Sequence, residues 1–379
     1  MLTTIFWSFT AVVFYVYVGY PLLVVLAVRF FRPRPLPRAA PTPTVSLVVA
    51  AYNEERTIGN KIENTLALAY PKDRIEIIVV SDGSTDATDR IVRGFGYDGV
   101  RLVRLGFNQG KSRAQNRGVA EAKGEIILFS DADVELLPDA LETIVAPFAD
   151  EKVGCVIGKI VYTTEGETGV TRGEGLYWRY EVYLRQKESD LGNLAMGSGL
   201  LAIRRDLFEY LDQDVGDDFV LPMKSAIRGR RVIYEPDAAG RTVLYQSHSR
   251  DMFRTRVRII TKDLRGLFSC KAIMNPFAHP LYAWGLISHK LLRWLVPYFL
   301  IGIFFAGVEL RALAFYRYMT VAQIIFYYLA VMNLMLGSRG KDIRLLYVAS
   351  SFCLVNSAAF VGVLRFITGK RSGRWQPIR

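Results

Sequence analysis

Apolar and polar positions alternate with three different periods along this chain, and each period predicts a different kind of element. Residues 1–28 carry no charged side chain, and such a run is long enough to cross a hydrocarbon core of about 30 Å. Short apolar runs then alternate with helical patterns. Val45-Ser-Leu-Val-Val-Ala-Ala51 reads as a buried strand, and a helical pattern follows through Ile58, Ile62, Leu66 and Leu68. Ile75-Glu-Ile-Ile-Val-Val80 is a second strand, with residues 87–95 helical after it. Arg101-Leu-Val-Arg-Leu105 is a third, followed by a helix over 111–122, and Glu125-Ile-Ile-Leu-Phe-Ser130 is a fourth. Repeated strand–helix units imply an α/β domain with a mainly parallel sheet, whose ligands bind beyond the carboxyl ends of the strands. Polar clusters fall at those ends.

Further along, Phe253, Val257, Ile260, Leu264 and Leu267 follow helical spacing, while Arg254, Arg256, Arg258, Lys262 and Arg265 occupy other positions. This predicts an amphipathic helix over 251–271, lying at a membrane surface. Membrane-spanning helices are expected within 272–310, 316–338 and 345–366, the first of these preceded by an interfacial segment. Five prolines at 33, 35, 37, 41 and 43 make residues 29–44 a stiff linker before a soluble block at 45–250. A cleaved leader would place a positive residue ahead of its apolar run, whereas the first charge here is Arg29, so an uncleaved helix is expected. The Arg29, Arg32, Arg34 and Arg38 exit puts the soluble block in the cytoplasm. One crossing before that block and three after it would put the basic tail 367–379, with Lys370, Arg371, Arg374 and Arg379, on the opposite side, against the same rule. Either one segment is re-entrant or residues 272–289 add a partial crossing.

Composition narrows the partners. The formal charge of +12 suits anionic lipid, an acidic substrate or nucleic acid. Lipid-spanning segments close behind the basic helix argue against nucleic acid. Three cysteines and three histidines, without metal-like spacing, imply neither a disulfide framework nor a zinc site.

The chemistry-bearing residues sit at strand ends. In Asp131-Ala-Asp133, alternation puts both carboxylates on one side of an extended chain end, where they can share a divalent cation; a solvated, helix-capping loop is the plainer reading. Ser81-Asp-Gly-Ser-Thr-Asp86 reads either as a turn with an N-cap or as a contact from Asp82 to a nucleobase or ribose. Gly106-Phe-Asn-Gln-Gly110-Lys111 has three residues between its glycines where a P-loop needs four, yet Lys111 opens a helix after a strand, a place suited to phosphate. Gly197-Ser-Gly199-Leu-Leu-Ala202 matches a dinucleotide fingerprint only in letters. Gly216-Asp-Asp-Phe219 pairs two acids, one solvated and one poised as a general base, or is a polar loop. The aromatic patch of Tyr177, Trp178, Tyr180 and Tyr183 reads as packing in preference to a sugar-stacking platform.

In order and spacing, Ala51-Tyr-Asn-Glu-Glu55, Ser81-Asp-Gly-Ser-Thr-Asp86, Asn108-Gln-Gly-Lys111 with Ala114 and Asn116, Asp131-Ala-Asp133, Gly197-Ser-Gly199 and Asp217-Asp218 resemble the membrane-bound family 2 glycosyltransferases, a group that includes cellulose, hyaluronan and poly-N-acetylglucosamine synthases. The resemblance spans about residues 45–267 and the flanking helices. It implies a GT-A nucleotide-sugar-binding domain and an inverting transfer from a nucleotide sugar, UDP-linked by expectation, to a glycan or lipid-linked acceptor. It further implies polysaccharide biosynthesis at the plasma (inner) membrane, with the catalytic domain facing the cytoplasm. Tyr52, Glu54 and Asp82 would line the nucleoside and Lys111 the diphosphate. Asp131 and Asp133 would hold the nucleotide, Asp133 being the more direct ligand of Mg2+ or Mn2+. Asp218 would be the base, with Gly197, Ser198, Gly199 and Asp217 against donor or acceptor.

One departure matters. Processive members carry Gln-x-x-Arg-Trp after the acidic pair, whereas this chain has Gln246-Ser-His-Ser-Arg250-Asp. Single transfer to polyprenyl phosphate or another lipid is therefore an alternative. A transporter with an inactive nucleotide-binding domain and a non-catalytic nucleotide sensor are the rivals from other classes.

Overall fold

The computed structural model describes residues 1–30, 42–163, 169–192, 198–243, 249–336 and 343–370. Gly197, most of the proline linker, Gln246 to His248 of the altered motif and the tail beyond Lys370 lie outside the described residues, as do the side chains of Tyr177 and Trp178.

Valine-rich β1 (Val45–Ala51) is buried along its whole length because it is a central strand. It pairs in parallel with β2 (Ile75–Ser81), which pairs in parallel with the edge strand β3 (Val100–Arg104). On its other side β1 pairs in parallel with β4 (Ile126–Ser130). Helices Ile58–Leu66, Thr88–Gly94 and Lys111–Glu121 alternate with these strands, within a residue or two of the places where the apolar runs predict them.

The second half follows another rule. β5 (Glu135–Leu136), β6 (Val153–Thr163), β7 (Leu200–Arg204) and β8 (Arg231–Val243) complete an eight-stranded sheet in the order β3-β2-β1-β4-β7-β6-β8-β5. β7 is antiparallel to both β4 and β6, β6 and β8 are parallel, and β5 is antiparallel to β8. The sheet is thus mixed but mostly parallel.

Alternation along the strands feeds two apolar layers. Leu47, Val49, Val79 and Leu128 pack on Ile58, Ile62, Leu141 and Ile144. On the other face Val48, Val80 and Ile127 pack with Ala114, and this layer continues without a break into Phe219, Ile260, Leu264, Leu267, Trp294, Ala359 and Val363. The apolar stripe of helix Ser249–Ser269 is therefore spent on protein.

Among the described residues, four helices are long and apolar enough to cross a membrane: Leu2–Phe30, Pro280–Glu309, Ala314–Leu336 and Arg344–Ile367. Buried polar groups fasten them to the catalytic domain through helix Gly169–Leu191. The Tyr20 hydroxyl donates to Glu188 Oε1 at 2.5 Å, and His289 Nδ1 meets the same oxygen at 2.7 Å. Arg293 pairs with Glu181. Such groups are tolerated away from water only when partnered, so they fix how the two parts meet. Tyr180 packs against Tyr20, Val24 and Leu184, as packing predicts, whereas Tyr183 is exposed with Lys187 over its ring.

Helix Lys111–Glu121 lies unusually close to the sheet, since a Cβ on Gly118 would sit 2.5 Å from Val48 Cγ1 and 3.0 Å from Val80 Cγ2. Gly118→Val is expected to cost about 1–3 kcal/mol through overpacking, read as a lower thermal midpoint of the detergent-solubilised protein. An unchanged midpoint would mean that the helix shifts freely and does not set the position of Lys111.

Candidate active site

Two loops at the carboxyl ends of β1 and β2 are knitted together backbone to side chain. The Asn53 amide donates to Ser84 Oγ at 3.1 Å, and Asn53 Oδ1 accepts from the Thr85 amide at 2.8 Å. The Glu54 amide donates to Thr88 Oγ1 at 2.8 Å, and Glu55 and Asp86 bridge the loops in both directions. Asn53 has φ 55°, a conformation that asparagine adopts more readily than most residues. Tyr52 is half-buried at this rim. The Glu54 carboxylate accepts from Thr57 Oγ1 at 2.8 Å, at the start of helix Ile58–Leu66.

Asp82 is fully buried, with Oδ1 accepting the Gln109 amide at 2.7 Å and Oδ2 the Gly110 amide at 2.8 Å. Burial raises its pKa above the ordinary carboxylate value even though both amides favour the charged form. Gly83, at φ 70°, allows the contact, because a Cβ there would meet the Phe107 backbone at 2.5 Å. Asp82 thus holds the loop that delivers Lys111.

Lys111 is the centre of the site. Its Nζ lies 2.8 Å from Asp131 Oδ1 and 3.4 Å from Asp217 Oδ2. Burial alone would lower its pKa, but these two carboxylates hold it well above the ordinary value. Beside it, Asp133 Oδ2 accepts from Thr242 Oγ1 of β8 at 3.1 Å. Desolvation at the crowded strand end, then repulsion from Asp131, raises the Asp133 carboxyl. Gly199 leaves room for Asp131, whose Oδ2 would be 2.7 Å from a Cβ at that position. Ser198 donates to the Gly158 carbonyl at 2.7 Å, so its hydroxyl is engaged with β6.

The acidic pair opens helix Asp217–Ile227, and its two members differ. Asp217 is held by Gln115 Nε2 at 2.5 Å and by Lys111; against the effect of burial, Lys111 lowers its pKa. It is therefore an anchored ion, not the solvated member of the pair. Among the described residues, Asp218 has no such cation at contact. Burial and the charge of Asp217 push it up to about 6. Asn116 fixes the approach by exchanging two hydrogen bonds with Leu211, at 2.8 and 2.9 Å.

Three residues here escaped the sequence reading. Lys61 is fully buried under the Asp131–Asp133 turn, where Nζ donates to Ser130 Oγ at 2.8 Å and to the Val134 carbonyl at 2.6 Å. Burial lowers it to about 7, against the pull of Asp131 and Asp133. Its only signal was a lysine beside Ile62 on an apolar helix face. Asp263 crowds Asp218: one oxygen of each lies 3.1 Å from where a Cβ on Gly216 would sit. Arg185, from helix Gly169–Leu191, acts electrostatically on both acids.

Residues 46–211 match the family model described as glycosyl transferase family 2. The chain carries a family 2 glycosyltransferase domain. This domain is 32% identical over 193 residues to the beta-monoglucosyldiacylglycerol synthase of Synechocystis sp., covering 48% of this chain and 40% of that protein. It is 35% identical over 117 residues to the poly-beta-1,6-N-acetyl-D-glucosamine synthase of Staphylococcus epidermidis, covering 30% and 28%. The matched stretch spans less than half of either relative. A mannosyltransferase from Pyrobaculum calidifontis, solved with GDP-Man and Mn2+, superposes over 98% of this chain and 100% of its own, with a TM-score of 0.75 at 24% identity. The family 2 domain has the GT-A fold.

Chemically, the two members of the acidic pair differ: Asp217 is anchored as an ion, and Asp218 has its pKa raised. A group that titrates near 6 accepts protons only when ionised, so kcat/KM for transfer is expected to rise with pH through about 6. Asp218→Asn is expected to lower kcat about 100- to 10,000-fold while donor affinity changes little. A pH profile flat between 5 and 7.5, or loss of donor binding in the variant, would remove Asp218 as the base.

Proposed function

We propose that this chain is an inverting, metal-dependent glycosyltransferase that moves a sugar from a UDP- or GDP-linked donor to a lipid-linked or glycan acceptor. The division of the acidic pair carries the reading: Lys111 and Gln115 hold Asp217 ionised, while Asp218 is left raised and within reach of an incoming hydroxyl. Asp218 takes the acceptor O–H proton, and the acceptor oxygen bonds to the anomeric carbon from the face opposite the phosphate. The anomeric C–O bond breaks, and its electron pair leaves with the nucleoside diphosphate. Lys111 lies where that negative charge develops. Tyr52 and Glu54 form the nucleoside end of the cleft, the buried Asp82 behind them fixing the Gln109–Gly110 loop, and Gly199 and Ser198 border the sugar.

The donor set fits a divalent cation that also binds substrate phosphate. Asp131 and Asp133 are hard oxygen ligands whose mutual repulsion a cation offsets. Among the described residues no group of three His, Cys, Asp or Glu gathers for a metal, so remaining ligands would come from phosphate and water, a habit of Mg2+ and Mn2+. Bound there, the ion supplies Lewis-acid stabilisation of the diphosphate. Across a panel of UDP- and GDP-sugars with membrane lipid extract, nucleoside diphosphate release is expected to need Mn2+ or Mg2+ and to stop with chelator, and Asp133→Ala to lose the metal response. Turnover insensitive to chelator would overturn the metal role; nucleotide binding with no turnover would favour a sensor.

We also infer that only three of the apolar helices cross the bilayer and that Lys370 lies on the catalytic side. Helices Ser249–Ser269 and Arg344–Ile367 run side by side in the same direction: Thr261 Oγ1 donates to the Gly362 carbonyl at 3.3 Å, and Phe268 stacks on Phe366 at 5.1 Å. Arg265 donates to the Lys370 carbonyl at 2.6 Å and pairs with Asp214 of the catalytic domain at 3.2 Å. The charges of the first helix keep it out of hydrocarbon, and the second follows it. This is the re-entrant alternative, and it restores the positive-inside rule for the basic tail. A fluorescent protein fused after Arg379 is expected to fluoresce in a bacterial host while an alkaline phosphatase fusion there stays inactive; the reverse pattern would restore a fourth crossing.

A further inference from the structure

We propose that Tyr162, at the end of β6, is the side chain against which the donor's sugar lies, the phenol ring covering one face of the sugar and the hydroxyl bonding to it. This deepens the transferase reading above and rests on it. A sugar transferred by in-line displacement sits between its diphosphate, at Asp131 and Asp133, and the base, Asp218. A side chain that faces both of those groups borders the sugar.

Register brings Tyr162 to that place. Across the parallel pair of β6 and β8 it stands opposite Thr242, and paired residues point to the same face of a sheet. The Thr242 hydroxyl bonds to Asp133 Oδ2 at 3.1 Å, so Tyr162 emerges beside Asp133. Alternation along β6 agrees. Ile160, two residues earlier on the same face, has Cγ1 3.9 Å from where a Cβ on Gly199 would sit, and Asp131 Oδ2 is 2.7 Å from that point. Tyr162 stands about 7 Å further along the strand, and so beyond Asp131 and Gly199 at the carboxyl end.

The base is felt there too. Desolvation raises the Tyr162 hydroxyl to about 12, and Asp131, Asp218 and Asp133 act in the same direction against Arg185. The hydroxyl is therefore neutral at pH 7 and both donates and accepts hydrogen bonds. The side chain is 47% exposed, so its ring is not spent on the core. Its neighbours are committed elsewhere. Ser198 gives its hydroxyl to the Gly158 carbonyl, Gly199 has no side chain, and Asp131 and Asp217 are engaged by Lys111. A hexose ring offers C–H groups on a face and hydroxyls at its edge, and a tyrosine matches it with an apolar body and a polar tip.

The test is equilibrium binding to the full chain in detergent with Mn2+, comparing UDP-glucose, UDP-N-acetylglucosamine and GDP-mannose with UDP and GDP. Tyr162→Ala is expected to weaken the nucleotide sugar that the parent binds about tenfold, the size of one aromatic contact, while the matching free diphosphate binds as in the parent. Tyr162→Phe, which keeps the ring, should recover part of that loss. Binding of the free diphosphate by each variant reports that it is folded. Equal weakening of nucleotide sugar and free diphosphate, a Tyr162→Ala variant that binds both like the parent, or a parent that binds no nucleotide sugar of the panel would each overturn the proposal. A nucleotide sugar that is bound through Tyr162 but transferred to no acceptor would instead tell against the transferase reading and leave the sugar contact standing.

Discussion

Several carboxylates crowd beyond the carboxyl end of β4, and the Lys111 ammonium makes that density of charge tolerable. It bridges Asp131, at the end of a central parallel strand, to Asp217, at the start of a helix far away in sequence. Without it, the acids would raise one another's pKa values and the cleft would lose its fixed shape. Its own position is inherited. The interlocked loops after β1 and β2 bury Asp82, Asp82 holds two amides of the next loop, and that loop delivers Lys111 as the first residue of its helix.

One lysine engaged with two acids leaves the others different from one another. Asp217 is spent as an ion partner and Asp218 is not, so neighbouring residues of the same type acquire opposite tendencies. Asp133, held by a threonine hydroxyl while facing Asp131, is left as the carboxylate with most to gain from an added cation. Asp263, buried beside Asp218, extends this gradient, since burial and then the charge of Asp218 raise it in turn.

Coupling between the two halves of the molecule is polar as well as apolar. Glu181 and Glu188 on one helix of the catalytic domain meet Tyr20, His289 and Arg293 on two of the apolar helices. Around them one face of the sheet shares a continuous core with helices Ser249–Ser269 and Arg344–Ile367. The catalytic domain therefore packs directly on those helices.

The alternation of Val45 to Ser130 was enough to place four strands and their helices, because buried parallel strands are near-continuous apolar runs and their polar ends stand out. Asp131 and Asp133 stood out at the end of a predicted strand, whereas the role of Asp218 was legible only through the family resemblance. β6, β7 and β8 were not legible: their pairing is antiparallel or long-range, with no strand–helix period to announce it. Nor could spacing separate Asp217 from Asp218, or reveal Lys61, Asp263 and Arg185 as neighbours of the site, because pKa and contact depend on burial and on partners from distant segments. The apolar length of residues 345–366 suggested a crossing helix. The packing of Gly362 and Phe366 against a charged helix is a tertiary fact, and contacts of that kind decide whether apolar surface meets lipid tails or protein.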